Sequence, residues 1–159
     1  MKKTVIIAIF IVYLASIVMV QLFAIPPSVP EGGAYVENLE ITGVEIVNRE
    51  EGDTQVRAMT NAQTGEIWYW FYFVPCADGE YTRDEASLAS NPNRIRINFD
   101  LTPDDATKEY LAYVLNNDNV VHITGTSELV FLKRVSVTVE VKESKGNLNA
   151  SDSVTIRTQ

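Results

Sequence analysis

Cysteine and histidine are almost absent from this sequence of 159 residues, which contains one of each, Cys76 and His122. A single cysteine allows no disulfide within the chain, so packing must stabilise the fold, and we expect Cys76 to act as a small apolar side chain. A closed structural zinc site needs four ligands, mostly cysteine and histidine, which the chain cannot supply. Asp104–Asp105 and Asn116–Asn119 offer oxygen atoms for calcium, but tight turns use the same residues and the EF-hand spacing is missing. We therefore predict no metal site.

The glycine-rich motifs of nucleotide-binding proteins and the nucleophile elbow of serine hydrolases are missing as well. No Gly-x-Gly-x-x-Gly, Walker loop or Gly-x-Ser-x-Gly pattern occurs. Any catalytic triad would have to use His122, whose neighbours Val120, Val121 and Ile123 indicate a strand. If Val121 and Ile123 face the core, His122 faces solvent or the adjacent strand. We predict no cofactor, no catalytic residue and no enzymatic activity.

Basic residues are outnumbered, with 13 Lys and Arg against 21 Asp and Glu and a net charge of −8. The acidic residues are spread along the chain, which is typical of a solvated surface rather than of an acidic tail. Such a surface repels the phosphate backbone of nucleic acids. Nucleic acid is therefore not an expected partner.

One long apolar run is present, and it lies at the N-terminus. Residues 4–25 carry no charge and follow Lys2 and Lys3; as a helix they would span about 33 Å, against about 30 Å for the hydrocarbon core of a bilayer. The two lysines predict a cytoplasmic N-terminus and an exported remainder. We therefore predict a transmembrane signal anchor at residues 1–25, followed by a spacer at residues 26–34 that contains three prolines and two glycines.

A cleaved secretory signal is the alternative interpretation of this run. Signal peptides have apolar regions of about 7–15 residues that end at a small-x-small site. The run here is longer, and Leu22-Phe23-Ala24 is a poor cleavage site. Both interpretations predict an exported domain, and the anchor additionally predicts a single-pass protein of the cell membrane.

Beyond the spacer, apolar residues alternate with polar ones, which is the period of half-buried strands. In residues 135–142 four valines alternate with polar residues, and residues 94–101 repeat the pattern with isoleucine, phenylalanine and leucine on one side. Turn residues separate these segments from shorter candidate strands, at residues 36–41, 44–48, 55–59, 112–115, 120–124, 129–131 and 153–158. Short helices are expected at residues 82–89 and 103–111. The pattern predicts an all-β fold, a β-sandwich formed by residues 35–159.

The segment Ile67–Val74 is apolar or aromatic at every position, so something must cover both faces of this strand. If the sandwich covers one face only, the other presents an exposed stripe suited to contact with a protein or a carbohydrate. We assign Trp68, Trp70 and Tyr72 as the candidate partner-binding stripe; the alternate set is Tyr69, Phe71 and Phe73. The competing interpretation is a central core strand that residues 77–93 help to cover.

The C-terminal half, roughly residues 94–158, resembles the group 2 bacterial immunoglobulin-like domain. Leu101–Lys108 is similar to a strand end followed by that family's Pro-x-x-Ala-Thr-Asn-Lys turn. Leu111–Tyr113 stands where the family has a strand ending in Trp, and Asn116–Asn119 where it has a Ser-Ser-Asn loop. The remaining strand segments then follow in the family's order.

Two departures accompany this resemblance. Tyr113 replaces the usual Trp, and Leu132–Arg134 stands where a glycine commonly precedes the valine-rich strand. Residues 35–93 have no counterpart that can be aligned, so they would supply the first strands plus an insertion. The resemblance implies an immunoglobulin-like sandwich and a role in bacterial surface binding or adhesion.

The resulting hypothesis is a membrane-anchored bacterial surface or envelope protein with a non-catalytic domain for binding, adhesion or structural assembly. The expected partner is a protein or carbohydrate outside the cell. One alternative is an accessory subunit of a membrane complex, in which Ser16 and Gln21 mark helix packing. A second alternative is an envelope enzyme, which requires acids to gather in a pocket around His122, namely Asp84, Asp104 and Asp118.

Overall fold

A computed structural model describes residues 33–49, 55–77 and 79–159 of the chain. These described residues form nine strands and one helix. The strands are β1 (Asn38–Ile46), β2 (Arg57–Thr60), β3 (Ile67–Phe71), β4 (Arg94–Thr102), β5 (Leu111–Leu115), β6 (Val120–His122), β7 (Glu128–Phe131), β8 (Ser136–Glu143) and β9 (Ser151–Thr158), and the helix is α1 (Glu85–Ser90).

The strands pair into a four-stranded sheet, in the order β1-β4-β7-β6, and a five-stranded sheet, in the order β2-β3-β9-β8-β5. Neighbouring strands are antiparallel except β3 and β9, which are parallel. Both sheets contribute their apolar sides to one core. Phe71 of the five-stranded sheet meets Phe131 of the four-stranded sheet edge to face, with ring centroids 5.2 Å apart. The expected all-β architecture with two sheets is confirmed, and it is consistent with a β-sandwich.

The alternation that predicted the longest strands also predicted which of their faces is buried. In β8, Val137, Val139 and Val141 are almost completely buried, whereas the residues between them are half-buried or exposed. In β4, Ile95 and Ile97 belong to the core in the same way. Period two is reliable here because both strands are long and one side of each meets water.

Strand β1 corrects the prediction of two separate strands at residues 36–41 and 44–48. Ile41 pairs with Phe99 and Gly43 with the next residue, Asn98, so Thr42 is an extra residue in a β-bulge. A bulge shifts the alternation by one position. Leu39 and Ile46 therefore both face the core although they stand an odd number of positions apart, and the break between the two predicted strands is a bulge within one strand.

The helix predicted at residues 103–111 is wrong. Thr102 ends β4, and the following backbone groups bond to a distant part of the chain: Thr107 N–H donates to Ala34 O at 2.9 Å, and Ala34 N–H donates to Asp105 O at 3.3 Å. Those bonds replace the hydrogen bonds that a helix would need. The other predicted helix, at residues 82–89, is present as α1, where the Asp84 carboxylate accepts a hydrogen bond from Ser87 N–H at 2.9 Å.

The predicted signal anchor, residues 1–25, and most of the predicted spacer, residues 26–34, lie outside the described residues. Both stay predictions from the sequence. In the part of the chain that the structure describes, no helix has the length and apolar character needed to cross a bilayer.

The face assignment of β8 predicts opposite outcomes for two adjacent substitutions. Val137→Asp places a charge among buried side chains without a partner, so we expect it to lower the free energy of unfolding by about 3 kcal/mol or more. Thr138→Asp lies on the outer face and loses only the contact of its hydroxyl with that of Thr155, so a loss of about 1 kcal/mol is expected. Urea unfolding followed by tryptophan fluorescence measures both. Equal losses would contradict the assignment.

Candidate binding surface

Strand β3 lies between β2 and β9, and its two faces meet different surroundings. Phe71 is fully buried in the core, and Tyr69 and Phe73 pack against it. Because side chains alternate along a strand, Trp68 and Trp70 lie on the outer face of the five-stranded sheet.

Tyr72 follows β3 and extends the same outer face. Its ring meets the Trp70 ring edge to face, with centroids 5.2 Å apart, and it is 61 % exposed. The structure thus brings together Trp68, Trp70 and Tyr72, the three residues assigned to the stripe.

Two arginines from neighbouring strands cover the indole rings. The Arg57 guanidinium lies 5.2 Å from the centre of the Trp70 ring, and the Arg157 guanidinium lies 4.4 Å from the centre of the Trp68 ring. Long arginine stems can cover apolar surface while the charged head stays in water, and Trp70 is accordingly only 9 % exposed despite its position on the outer face. We call Arg57, Trp68, Trp70, Tyr72 and Arg157 the tryptophan–arginine surface.

The register of the sheet places both arginines beside the same residue. Arg57 of β2 and Arg157 of β9 are the cross-strand partners of Trp70, one on each side. Sequence reasoning missed both. Alternation with the apolar residues Val154 and Ile156 assigns Arg157 to an outer face, but no local pattern reveals that β9 lies beside β3.

Hydroxyl groups dominate the rest of the outer face near this surface. Thr155 is the partner of Trp68 across the sheet, and its Oγ1 lies 3.1 Å from Oγ1 of Thr138. Ser136 lies beside Arg157, and Ser153 lies beside Glu140. The face is therefore flat, polar and rich in hydrogen-bonding groups.

A buried polar network holds the chain where it leaves β3. Asn93 is fully buried; its Oδ1 accepts from Val74 N–H at 2.8 Å, and its Nδ2 donates to Val74 O at 2.8 Å. Arg49 Nη2 donates to Tyr72 O at 2.7 Å and to Asn93 Oδ1 at 2.9 Å. The amide of Asn93 thereby replaces a missing strand partner, and the backbone of Tyr72 is held in position.

The segment after β3 contacts the C-terminal end of the aromatic stretch. Phe73 meets Tyr81 edge to face at 6.1 Å. Cys76 is half-buried beside a shallow cleft of about 180 Å³ that Leu132 also lines. Residues 81 and 93 of the segment expected to help cover the aromatic strand thus contact Phe73 and Val74 at its end, whereas arginine side chains lie over the indole rings.

His122 corrects a second expectation. It pairs with Leu129, a core residue, so His122 and Val120 face inward, and Val121 lies on the opposite face. The His122 ring stacks on that of Tyr113 with centroids 4.0 Å apart, and its Nε2 lies 2.7 Å from Thr126 O. The local sequence did not reveal this orientation, because a strand of three residues is too short to define a period.

His122 and Tyr113 line a cleft of about 490 Å³ between the edges of the two sheets. Burial raises the pKa of Tyr113 to about 12. The other residues that line the cleft include Phe99, Lys108 and Glu109. The acids that an envelope enzyme would need there, Asp84, Asp104 and Asp118, are not among its lining residues. Within residues 33–49, 55–77 and 79–159, no group of three or more His, Cys, Asp or Glu residues is arranged to hold a metal ion.

On the outer face of the four-stranded sheet, arginines pair with a carboxylate. Glu128 is buried, and its two carboxylate oxygens accept from Arg94 Nε at 2.6 Å and from Arg96 Nη2 at 2.7 Å. Burial alone would raise the pKa of Glu128, but the hydrogen bonds from Arg96 and Arg94 outweigh it and hold the pKa below its ordinary value. Arg96 also pairs with Glu45 at 3.0 Å.

This ion-pair network predicts a pH-dependent effect of Glu128→Gln. A carboxylate whose folded pKa is lowered stabilises the fold above its unfolded pKa, and that contribution disappears as the pH falls through the folded pKa. We expect Glu128→Gln to cost about 1–3 kcal/mol at neutral pH. The difference from wild type should shrink below the ordinary pKa of 4.5.

The control for this prediction is Glu45→Gln, whose side chain is 48 % exposed and pairs with Arg96. Exposed pairs contribute about 0–1 kcal/mol, so this variant should stay close to wild type at every pH. Urea unfolding between pH 3 and 7 compares the three proteins. A constant difference between Glu128→Gln and wild type across that range would contradict the role of the carboxylate.

Comparison of the chain with protein-family models, with curated proteins and with solved structures gives no match. The resemblance of residues 94–158 to the immunoglobulin-like family therefore stays a prediction.

Proposed function

We propose that this protein is a membrane-anchored bacterial surface or envelope protein whose immunoglobulin-like domain binds a partner outside the cell. The tryptophan–arginine surface is the binding site in this proposal. The observation that carries it is the gathering of Trp68, Trp70 and Tyr72 on one outer sheet face, where no core packing requires three large aromatic side chains.

The order of the strands supports the immunoglobulin-like part of the proposal. In immunoglobulin constant domains one sheet has the strand order A-B-E-D and the other C-F-G. The order β1-β4-β7-β6 corresponds to A-B-E-D, and the order β5-β8-β9 corresponds to C-F-G. Strands β2 and β3 then form an insertion between A and B, which agrees with the absence of a family counterpart for much of residues 35–93.

The membrane anchor rests on the sequence alone. Residues 4–25 are uncharged and long enough to span a bilayer, and Lys2 and Lys3 favour a cytoplasmic N-terminus. In this proposal the domain lies outside the cell or within the envelope, where the tryptophan–arginine surface can meet a protein or a carbohydrate.

Photo-crosslinking in native cells tests the proposal. Tyr72 is replaced by the photoreactive amino acid p-benzoylphenylalanine in the full-length protein, and the membrane fraction is washed with alkaline carbonate before analysis. We expect the protein to remain in the membrane pellet and to form a crosslinked product on illumination, because Tyr72 is the exposed aromatic residue of the proposed contact.

The matched control carries the same amino acid in place of Asn98, which is exposed on the outer face of the four-stranded sheet. Only the position 72 variant should form the product. Equal crosslinking at both positions, or at neither, would contradict binding by this surface, and release by carbonate would contradict the anchor. Crosslinking to one integral membrane protein would favour the accessory-subunit alternative.

A further inference from the structure

Arg57 and Arg157 differ from four other cations of the domain in what they contact. Arg94, Arg96, Lys133 and Lys142 each lie within ion-pair distance of a carboxylate. Among the described residues, Arg57 and Arg157 have no such carboxylate. Arg57 bonds to the Gln55 amide oxygen at 3.5 Å, and both guanidinium groups lie against indole rings instead.

An arginine held over an aromatic ring keeps its hydrogen-bonding capacity. The guanidinium carries five N–H donors in its plane, and contact with a ring through its face leaves the donors at its edges available. Because both arginines are cross-strand partners of Trp70, their Cα atoms lie two strand spacings apart, about 10 Å. The surface therefore presents two positioned cationic forks in a protein whose net charge is −8.

We propose that the tryptophan–arginine surface binds an acidic polysaccharide, with Arg57 and Arg157 each taking a carboxylate group of the polymer. This inference rests on the proposed binding function and names its ligand class. A carboxylate matches the planar fork of a guanidinium group and accepts two parallel hydrogen bonds from it.

The surroundings of the two arginines favour a polysaccharide over an acidic protein. The neighbouring side chains, Ser136, Thr138 and Thr155, offer hydroxyl groups that suit the hydroxyl groups of sugars. The exposed Tyr72 ring adds an apolar face on which a sugar ring can lie.

The net charge of the protein argues against binding by general electrostatic attraction. A charge of −8 repels polyanions at long range, so attraction has to come from the local geometry of this surface. If binding depended on general electrostatic attraction, removing any cation of the domain would weaken the affinity by the same amount. This difference separates specific from non-specific binding in an experiment.

The chain provides its own reporter for the test, because its two tryptophans are Trp68 and Trp70. Full-length protein in a non-ionic detergent is titrated with polygalacturonate, and tryptophan fluorescence is recorded; neutral dextran and poly-glutamate are titrated in parallel. We expect a saturable change with polygalacturonate, none with dextran and a much weaker response to poly-glutamate. The double variant Arg57→Gln/Arg157→Gln should weaken the apparent affinity for polygalacturonate by about tenfold or more.

The control double variant is Lys108→Gln/Lys145→Gln. It removes the same charge, and both lysines also lie over aromatic rings, at 5.1 Å from the Phe99 centroid and 3.9 Å from the Tyr110 centroid. It should bind as wild type does. Arg57→Lys/Arg157→Lys keeps the charge but loses the planar fork, so its affinity should also fall, and circular dichroism checks that each variant retains its strand content.

Four results would overturn the proposal: no response to polygalacturonate, equal loss in the control variant, wild-type affinity in the lysine variant, or equally tight binding of poly-glutamate. The last result would assign the surface to acidic peptides. A specific photo-crosslink at position 72 together with any of these results would leave the binding function in place and reject only the polysaccharide.

Discussion

The backbone pairing between β3 and β9 is the constraint on which the candidate site depends. β9 lies between β3 and β8, so it joins the hairpin of β2 and β3 to the rest of the five-stranded sheet. The pairing continues beyond the strands, where Phe73 N–H donates to Gln159 O at 2.8 Å and Gln159 N–H donates to Phe71 O at 3.0 Å. Without it, the core would lose Phe71 and the indole rings would lose Arg157.

The two outer faces of the sandwich keep their arginines in place by different means. On the four-stranded sheet, the carboxylate of buried Glu128 accepts hydrogen bonds from both Arg94 and Arg96, and Arg96 also pairs with Glu45. On the five-stranded sheet, indole rings take the place of the carboxylate. An ion pair uses the hydrogen-bonding edge of a guanidinium group, whereas a ring contacts its face, so the second arrangement leaves more donors free for a ligand.

Sequence reasoning predicted the all-β architecture and one face for Trp68, Trp70 and Tyr72, but it did not predict the arginines that lie over the indole rings. Alternation assigned the buried faces of β4 and β8 because these strands are long, with one side in the core and the other in water. It failed at β1, where the bulge at Thr42 shifts the period, and at His122, where β6 is too short to show one. Arg157 could be assigned to an outer face, but its position beside Trp68 depends on a pairing between strands that are distant in the chain.

The strand pairings around β3 also affect the entropic cost of the proposed binding. Binding by a mobile arginine requires ordering of a long side chain, at a cost of about 0.5–1.5 kcal/mol for each immobilised side chain. Here the indole rings hold Arg57 and Arg157 before any ligand arrives, and the Asn93 and Arg49 network fixes the backbone that carries Tyr72. Much of the ordering therefore occurs during folding. In the proposed binding site the aromatic side chains would thus act mainly as supports that orient the cations, and the arginines rather than the rings would determine which ligands bind.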